Sequence, residues 1–269
     1  MMSHKQTPYN PVVSQGPGYE MTPYRSQPPV PPGPIIQQPV QADWMSMPQG
    51  LRNCPPGLEY LSLIDSLLIH QTIDVLEVVV GYERNNRYII KNSVGQKVYF
   101  AKEETDCCTR NCWGSMRPFD MKILDNFENE VMHLYRPLAC SGCCFPCCLQ
   151  TLEVFSPPGT LIGTVEEVWT FCKPCFVVKD ANNDVLLKIK GPICTCACFS
   201  DIDFFINSKD SSMEVGKITK QWTGFFREAY TDADNFGVKF PMDLDVKVKA
   251  LLLAATFLID FMYFESSQK

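Results

Sequence analysis

The sequence has few of the residues on which many enzymes depend. Histidine occurs three times, at His4, His70 and His133, and these positions are far apart. The chain has no Ser/His/Asp arrangement, no glycine-rich phosphate loop and no histidine cluster. The sequence therefore gives no support to a hydrolase or a nucleotide-dependent enzyme, and we expect a protein that is not an enzyme.

A long uninterrupted apolar run is also missing. The longest one, Ala250–Ile259, continues through Phe261–Phe264 after the single acid Asp260. Spanning a bilayer takes about 20 apolar residues, and an acidic side chain within the span is costly. We therefore expect a buried core helix, with a membrane span as the alternative. Because a helix that is apolar on all sides must be surrounded by protein or lipid, the rest of the chain must supply a wall.

A signal peptide is a third feature that the sequence lacks. The first residues, MMSHKQTPYNP, lack the apolar core of a signal peptide, so we expect a cytosolic domain. Since the cytosol keeps thiols reduced, the 14 cysteines are not expected to form a disulfide framework. The net charge of −6 disfavours broad nucleic-acid binding.

Residues 1–50 differ in composition from the rest of the chain. They hold 11 of the 21 prolines and very few charged residues, which predicts a disordered segment. Overlapping P-x-x-P patterns favour polyproline II and suit the grooves of SH3 or WW domains. A passive tail is the alternative interpretation. The prolines of this pattern are Pro28, Pro29, Pro31, Pro32 and Pro34.

Residues 51–265 are predicted to form one folded domain. Five times, two alternating apolar runs flank a turn rich in Asn, Asp, Gly, Ser or Pro, which is typical of β-hairpins. With flanking strands this gives roughly twelve antiparallel strands, and a closed barrel of that size is too wide for its own side chains to fill. The fold class is therefore mainly β, with the apolar C-terminal helix inside the barrel.

The cysteines are clustered in loops. Cys143, Cys144, Cys147 and Cys148 lie beside Gly142 and Pro146, and clustered loop cysteines are typical of S-acylation. Zinc is a rival interpretation, because Cys144-x-x-Cys147 and Cys172-x-x-Cys175 have ligand-like spacing. Small buried hydrophobic residues are the third alternative. Two further groups, Cys107/Cys108/Cys112 and Cys194/Cys196/Cys198, offer additional ligands.

An acidic segment precedes the apolar helix. Asp232, Asp234 and Asp243 occupy relative positions 1, 3 and 12 of a calcium-loop pattern, with Gly237 at position 6. Phe236, Val238 and Phe240 alternate within it, which predicts a strand and separates Asp243 from Asp232. The alternative is a turn followed by the acidic first turn of a helix.

Five stretches together resemble the phospholipid scramblase family. They are Pro55-Pro-Gly-Leu-Glu-Tyr-Leu61, Thr105-Asp-Cys-Cys-Thr-Arg-Asn-Cys112, Cys143-Cys-Phe-Pro-Cys-Cys-Leu-Gln150, Gly216-Lys-Ile-Thr-Lys-Gln-Trp-Thr-Gly224 and Asp232-Ala-Asp-Asn-Phe-Gly-Val-Lys-Phe-Pro-Met-Asp243. The resemblance implies a tubby-like barrel around the C-terminal helix. It also implies calcium-dependent, ATP-independent, bidirectional movement of phospholipids between leaflets of the plasma membrane.

The resemblance also implies roles for particular residues. The calcium segment comprises Asp232, Asp234, Phe236, Val238, Phe240 and Asp243, and palmitate is implied at Cys143, Cys144, Cys147 and Cys148. Lys217 and Lys220 lie in a segment that matches a nuclear-import region, with importin as the partner in the absence of palmitate. The alternative function is that of a palmitoyl-anchored, lipid-binding adaptor that recruits SH3 or WW proteins at the cytoplasmic face.

Overall fold

The fold is taken from a computed structural model, which describes residues 43–48, 54–72, 86–104, 118–139, 149–193, 201–221 and 235–264. These residues belong to a compact unit, Gln41–Lys269. The proline-rich pattern from Pro28 to Pro34 lies outside the described residues.

Twelve antiparallel strands form one closed barrel in which each strand pairs with its neighbours in sequence and the first pairs with the last. The strands are β1 (Ser66–Gln71), β2 (Arg87–Asn92), β3 (Lys97–Glu103), β4 (Phe119–Leu124), β5 (Glu130–Arg136), β6 (Thr151–Ser156), β7 (Thr160–Glu167), β8 (Cys175–Asp180), β9 (Val185–Lys190), β10 (Ile202–Ser208), β11 (Glu214–Lys220) and β12 (Asn235–Lys239). A 3₁₀ helix, Glu59–Leu63, precedes β1, and the helix α1, Val246–Tyr263, follows β12.

The five predicted hairpins are present, and their sequences explain their turns. In the β4–β5 turn, Asp125 Oδ1 accepts hydrogen bonds from the backbone N–H groups of Phe127 and Asn129, both at 2.8 Å. Asp180 caps the β8–β9 turn in the same way, with two N–H donors at 2.9 Å. Short polar side chains that bond to the backbone close to them in the chain favour tight turns over continued strand.

The helix α1 fills the barrel. Its side chains from Lys249 to Phe261 are all buried, although the helix begins and ends near the two mouths. Aromatic contacts join it to the wall: Phe257 packs edge-on against Tyr88, with ring centroids 5.1 Å apart, and Phe261 stacks on Phe119 at 4.4 Å. The wall supplies the protein surroundings that an entirely apolar helix needs.

The two ends of the barrel differ in their connections. We call the end near the start of α1 the turn end, because the five short hairpin turns lie there. We call the other end the loop end. Phe119, Phe176 and Tyr88 lie at this end and pack against the last turns of α1. The longer connections leave and re-enter the strands at the loop end, and they comprise residues 72–86, 104–118, 137–150, 168–174, 191–201 and 221–234.

The predicted fold class is confirmed: a mainly β, twelve-stranded antiparallel closed barrel around a buried C-terminal helix. Among the described residues, no helix combines the length and the apolar character that crossing a bilayer requires. The burial of α1 inside the barrel bears out the core interpretation of Ala250–Phe264.

The packing of α1 makes a stability prediction. Replacing the fully buried Leu252 by Ala should lower the free energy of unfolding by about 2–5 kcal/mol, because the barrel wall cannot collapse into the cavity. The matched control is Leu63→Ala, whose side chain is 60% exposed and whose loss should change stability by less than about 0.5 kcal/mol. Urea unfolding of the two variants measures both values, and equal values would contradict the role of α1 as the core.

Candidate functional site

The middle of the candidate calcium segment is strand β12. This strand pairs with β1 on one side and β11 on the other, so its backbone belongs to two ladders. The side chains of Phe236, Val238 and Phe240 are buried in the barrel. The ring of Phe236 lies 5.7 Å from that of Phe264. These three residues therefore fix the segment to the core, and their side chains offer no oxygen to a cation.

The acidic residues of the segment are separated by that strand. Asp232 and Asp234 lie outside the described residues, and the chain enters β12 directly after them, at the loop end. Asp243 is exposed in the turn that leads into α1, beyond the other end of β12. The five extended residues Asn235–Lys239 account for about 16 Å of chain between them, at about 3.3 Å per residue.

A buried lysine lies beneath the Asp243 turn. The Nζ atom of Lys249 donates hydrogen bonds to the backbone oxygens of Ile64 and Met242, both at 2.7 Å, and of Leu61 at 3.0 Å. Its ammonium group also lies 5.3 Å from the centre of the Phe240 ring. These bonds join the 3₁₀ helix, the start of β1 and the turn after β12 to the first turn of α1.

Lys249 shapes the electrostatics of this turn. Burial lowers the pKa of Lys249, while the carboxylates of Asp243 and Asp65 act in the opposite direction. The ammonium group donates a hydrogen bond to the Met242 carbonyl oxygen, which belongs to the backbone of the candidate segment. The ammonium group of Lys249 thus already uses a backbone oxygen that could otherwise be a ligand for a calcium ion at this turn.

The described part of the segment does not by itself form a calcium site. Calcium takes six to eight oxygen ligands, whereas the described residues of the segment contribute one carboxylate, that of Asp243. Across the described ranges, no group of three or more His, Cys, Asp or Glu side chains is arranged to hold a metal ion. A complete set would depend on Asp232 and Asp234.

The two lysines of the predicted import segment lie in β11. Lys217 forms an ion pair with Asp203, with Nζ 3.0 Å from the carboxylate. The Nζ atom of Lys220 lies 4.2 Å from the centre of the Phe264 ring, at the loop end. Because β11 is paired with strands on both sides, this segment does not present a free extended backbone.

Apart from Cys54, which precedes the 3₁₀ helix, the cysteines fall in or beside the connections of the loop end. Cys143, Cys144, Cys147 and Cys148 are outside the described residues, and the chain that carries them leaves β5 and enters β6 at the loop end. Cys172 is exposed and Cys175 is partly buried, and both are free thiols. The other cysteines of the proposed zinc pairings also lie outside the described residues, so zinc stays a sequence-based prediction.

Sequence patterns did not single out two features of this structure. One is Lys249, because a lysine at the start of a helix usually faces solvent. The other is residues 168–174, where Trp169 and the 90% exposed Phe171 occupy a loop. The available signal was composition, because this connection places Trp169 and Phe171 close to Lys173.

Comparisons with known proteins agree on one family. A family model described as Scramblase matches residues 45–266. Phospholipid scramblase 1 of Mus musculus is 60% identical over 222 residues, which are 82% of this chain and 68% of that protein. Phospholipid scramblase 2 of Bos taurus is 56% identical over 230 residues, or 86% and 78% of the two chains. Phospholipid scramblase 4 of Homo sapiens is 42% identical over 236 residues, or 87% and 71%. No solved structure matches the chain.

The buried lysine gives a prediction. Lys249→Met keeps much of the side-chain volume but removes the donor shared by three buried carbonyl oxygens, so the free energy of unfolding should fall by about 3 kcal/mol or more. Lys247→Met, two residues away on the exposed side of the same helix, should change it by less than about 0.5 kcal/mol. Urea unfolding at neutral pH compares them, and a Lys249→Met variant as stable as the control would refute the stabilising role of these bonds.

Proposed function

The chain belongs to the phospholipid scramblase family, and we propose that it moves phospholipids in both directions between the two leaflets of a membrane. The observation that carries the proposal is the extent of the match, because the family model runs from residue 45 to residue 266. That range includes all twelve strands and the central helix. The match therefore concerns the whole barrel and not an isolated motif.

The proposed movement is passive. The sequence holds no phosphate-binding loop that would couple lipid movement to ATP, and we propose a transporter that equilibrates lipids without altering them covalently. The barrier to this movement is the desolvation of a polar head group in the hydrocarbon core. A protein lowers that barrier by disturbing or thinning the bilayer, or by offering the head group polar partners.

The packed interior restricts where lipids pass. The side chains of α1 from Ala250 to Phe261 are buried against the wall, so the centre of the barrel is filled with apolar side chains. A head group entering there would lose its hydration without gaining polar partners. We therefore propose that lipids move along the boundary between protein and bilayer rather than through the barrel.

Calcium stimulation is part of the proposal. The proposed segment contains Asp232, Asp234, Phe236, Val238, Phe240 and Asp243, with carboxylate oxygens as the natural calcium ligands. The buried aromatic and valine side chains would act as anchors for the segment. Because few charged ligands are available, we expect dissociation constants of roughly tens of micromolar or weaker.

Anchoring at the cytoplasmic face of the plasma membrane completes the proposal. Palmitate on two or more of Cys143, Cys144, Cys147 and Cys148 would hold the chain stably, whereas a single acyl chain gives marginal binding. Without palmitate, we propose that importin carries the chain to the nucleus. Since β11 is paired on both sides, importin would have to read Lys217 and Lys220 as side chains on a folded surface.

A second candidate function is favoured by the filled interior. The described barrel offers no polar path for a head group, which suits a palmitoyl-anchored, lipid-binding adaptor as well as a transporter. In that case the prolines from Pro28 to Pro34 would recruit SH3 or WW proteins. Lipid exchange by the purified chain separates the two functions.

The transport proposal predicts calcium-stimulated exchange. The full chain, reconstituted into phosphatidylcholine–phosphatidylserine vesicles with a fluorescent lipid, should increase the fraction of dye that an external reductant bleaches when calcium is added. Asp232→Ala should abolish this increase, and Asp184→Ala, an exposed acid in a turn outside the segment, should retain it. Exchange no faster than in protein-free vesicles would favour the adaptor. A normal calcium response of Asp232→Ala would remove that residue from the site.

The anchoring proposal predicts relocation. Changing Cys143, Cys144, Cys147 and Cys148 to Ala should shift the chain from the membrane fraction to the cytosol or nucleus of the cell, because the acyl chains are lost. Cys172→Ala, an exposed cysteine outside this group, serves as the control and should stay at the membrane. Microscopy and fractionation measure the outcome. Membrane retention of the fourfold variant would show that another anchor holds the chain, and stoichiometric zinc in the purified protein would favour the metal interpretation.

A further inference from the structure

The connection between β7 and β8, residues 168–174, is an ordered loop with an apolar tip. The backbone N–H of Val168 donates to the Cys175 oxygen at 2.8 Å, and the Thr170 hydroxyl donates to the Lys173 oxygen. These bonds hold the tip in place, yet Phe171 is 90% exposed and Trp169 is half exposed. The loop thus projects aromatic side chains into solvent from a fixed base.

Two neighbouring connections add apolar side chains at the same end. The backbone N–H of Gly191 donates to the Pro174 oxygen at 2.7 Å, which joins the segment carrying the exposed Ile193 to this loop. On the other side, Gln150 bonds to both Ala139 and Glu167, which brings the exposed Leu138 near Val168. We call the resulting surface the apolar rim, and it comprises Leu138, Val168, Trp169, Phe171 and Ile193.

The rim has the composition of a surface that meets a membrane interface. Contiguous exposed apolar side chains mark interaction sites, since single scattered ones are ordinary. Trp is enriched where hydrocarbon meets head groups, because its ring is apolar and its N–H is polar. Lysines adjoin the rim: Lys173 follows its tip, and Lys190 lies opposite Cys175 in the register of β8 and β9. Two carboxylates precede the rim: Glu166 forms an ion pair with Lys179 at 2.6 Å, and Glu167 accepts a hydrogen bond from the backbone N–H of Gln150 at 3.1 Å.

The opposite end of the barrel provides a contrast. Phe127, Val94 and Met213 are also exposed there, but each lies in a different hairpin turn, and Phe127 is followed by Glu128. Other turns at this end carry Asp180, Asp184 and Asp210. An anionic bilayer attracts lysines and repels these carboxylates, so charge selects the loop end rather than the turn end.

We propose that the apolar rim inserts into the interfacial layer of an anionic phospholipid bilayer, with Lys173 and Lys190 against the lipid phosphates. The inference deepens the proposed function, on which it rests, by naming the surface that faces the membrane. The chain that carries the proposed acyl cysteines is attached to the barrel at this same end. Acyl chains and rim would therefore draw one face of the protein to the lipid.

Vesicle binding by the full, unacylated chain made in bacteria tests the proposal. Flotation with vesicles of phosphatidylcholine and phosphatidylserine should give an affinity that Phe171→Ala weakens about tenfold, because a buried phenyl ring is lost. Phe127→Ala is the matched control at the turn end and should bind like the parent. Lys173→Glu with Lys190→Glu should also weaken binding about tenfold, whereas Lys209→Glu, in an exposed turn at the opposite end, should weaken it far less.

A second measurement reports insertion directly. In a variant that keeps Trp169 as its single tryptophan, with Trp44, Trp113 and Trp222 changed to Phe, brominated lipids should quench the fluorescence of the bound chain. Thermal unfolding of each Phe→Ala and Lys→Glu variant should match the parent, since those side chains are exposed. Equal vesicle binding by Phe171→Ala and Phe127→Ala would overturn the proposal.

Failure of the inference and failure of the proposed function give different results. A chain that binds vesicles through the rim but exchanges no lipid would support the rim and refute the transport proposal. A chain that exchanges lipid equally well with Phe171→Ala and Phe127→Ala, and binds vesicles equally with both, would refute the rim and retain the transport proposal.

Discussion

The burial of α1 inside the barrel is the contact on which the other parts of the structure depend. Twelve strands enclose more space than their inward side chains fill, and a helix that is apolar on all sides over most of its length has more surface than one flank of a sheet covers. The helix therefore fills the barrel, and the barrel wall covers the apolar surface of the helix. Gly163 shows how close the approach is: a Cβ atom there would lie 2.2 Å from the Lys179 oxygen and 3.0 Å from Leu251 of α1.

Two polar contacts fix the helix along and around its axis. Lys249 at the turn end donates to three backbone oxygens, and Asp260 near the loop end accepts a hydrogen bond from the Tyr88 hydroxyl at 3.0 Å. Apolar packing alone would tolerate sliding or rotation of so uniform a helix. Buried polar groups make such shifts costly, because a displaced donor or acceptor loses its partner. The two contacts thus fix the position of α1 inside an apolar core that would by itself allow several positions.

Most of the fold could be predicted from the sequence because its signals are local. Turn residues such as Asp125 and Asp180 bond to backbone groups within four residues, and apolar alternation marks each strand beside them. Lys249 could not be recognised because its partners, Leu61 and Ile64, are far away in sequence. Phe171 could not be recognised as an exposed residue either, because sequence alone does not show which apolar side chains the fold leaves in solvent. The alternation of Phe236, Val238 and Phe240 predicted a strand between Asp232 and Asp243, and β12 confirms it.

Antiparallel hairpins make the two ends of this barrel chemically different. Five tight turns occupy one end, so the longer connections, with the cysteines and the apolar rim, are attached at the other. The candidate calcium segment joins the two ends, because the 221–234 connection that holds Asp232 and Asp234 returns to β12 at the loop end while Asp243 lies at the turn end. If the loop end faces lipid, a calcium ion that acts together with phospholipid head groups would be bound from the 221–234 side. The carboxylate of Asp243 would then interact with the ammonium group of Lys249 at the start of α1 and would not face the membrane.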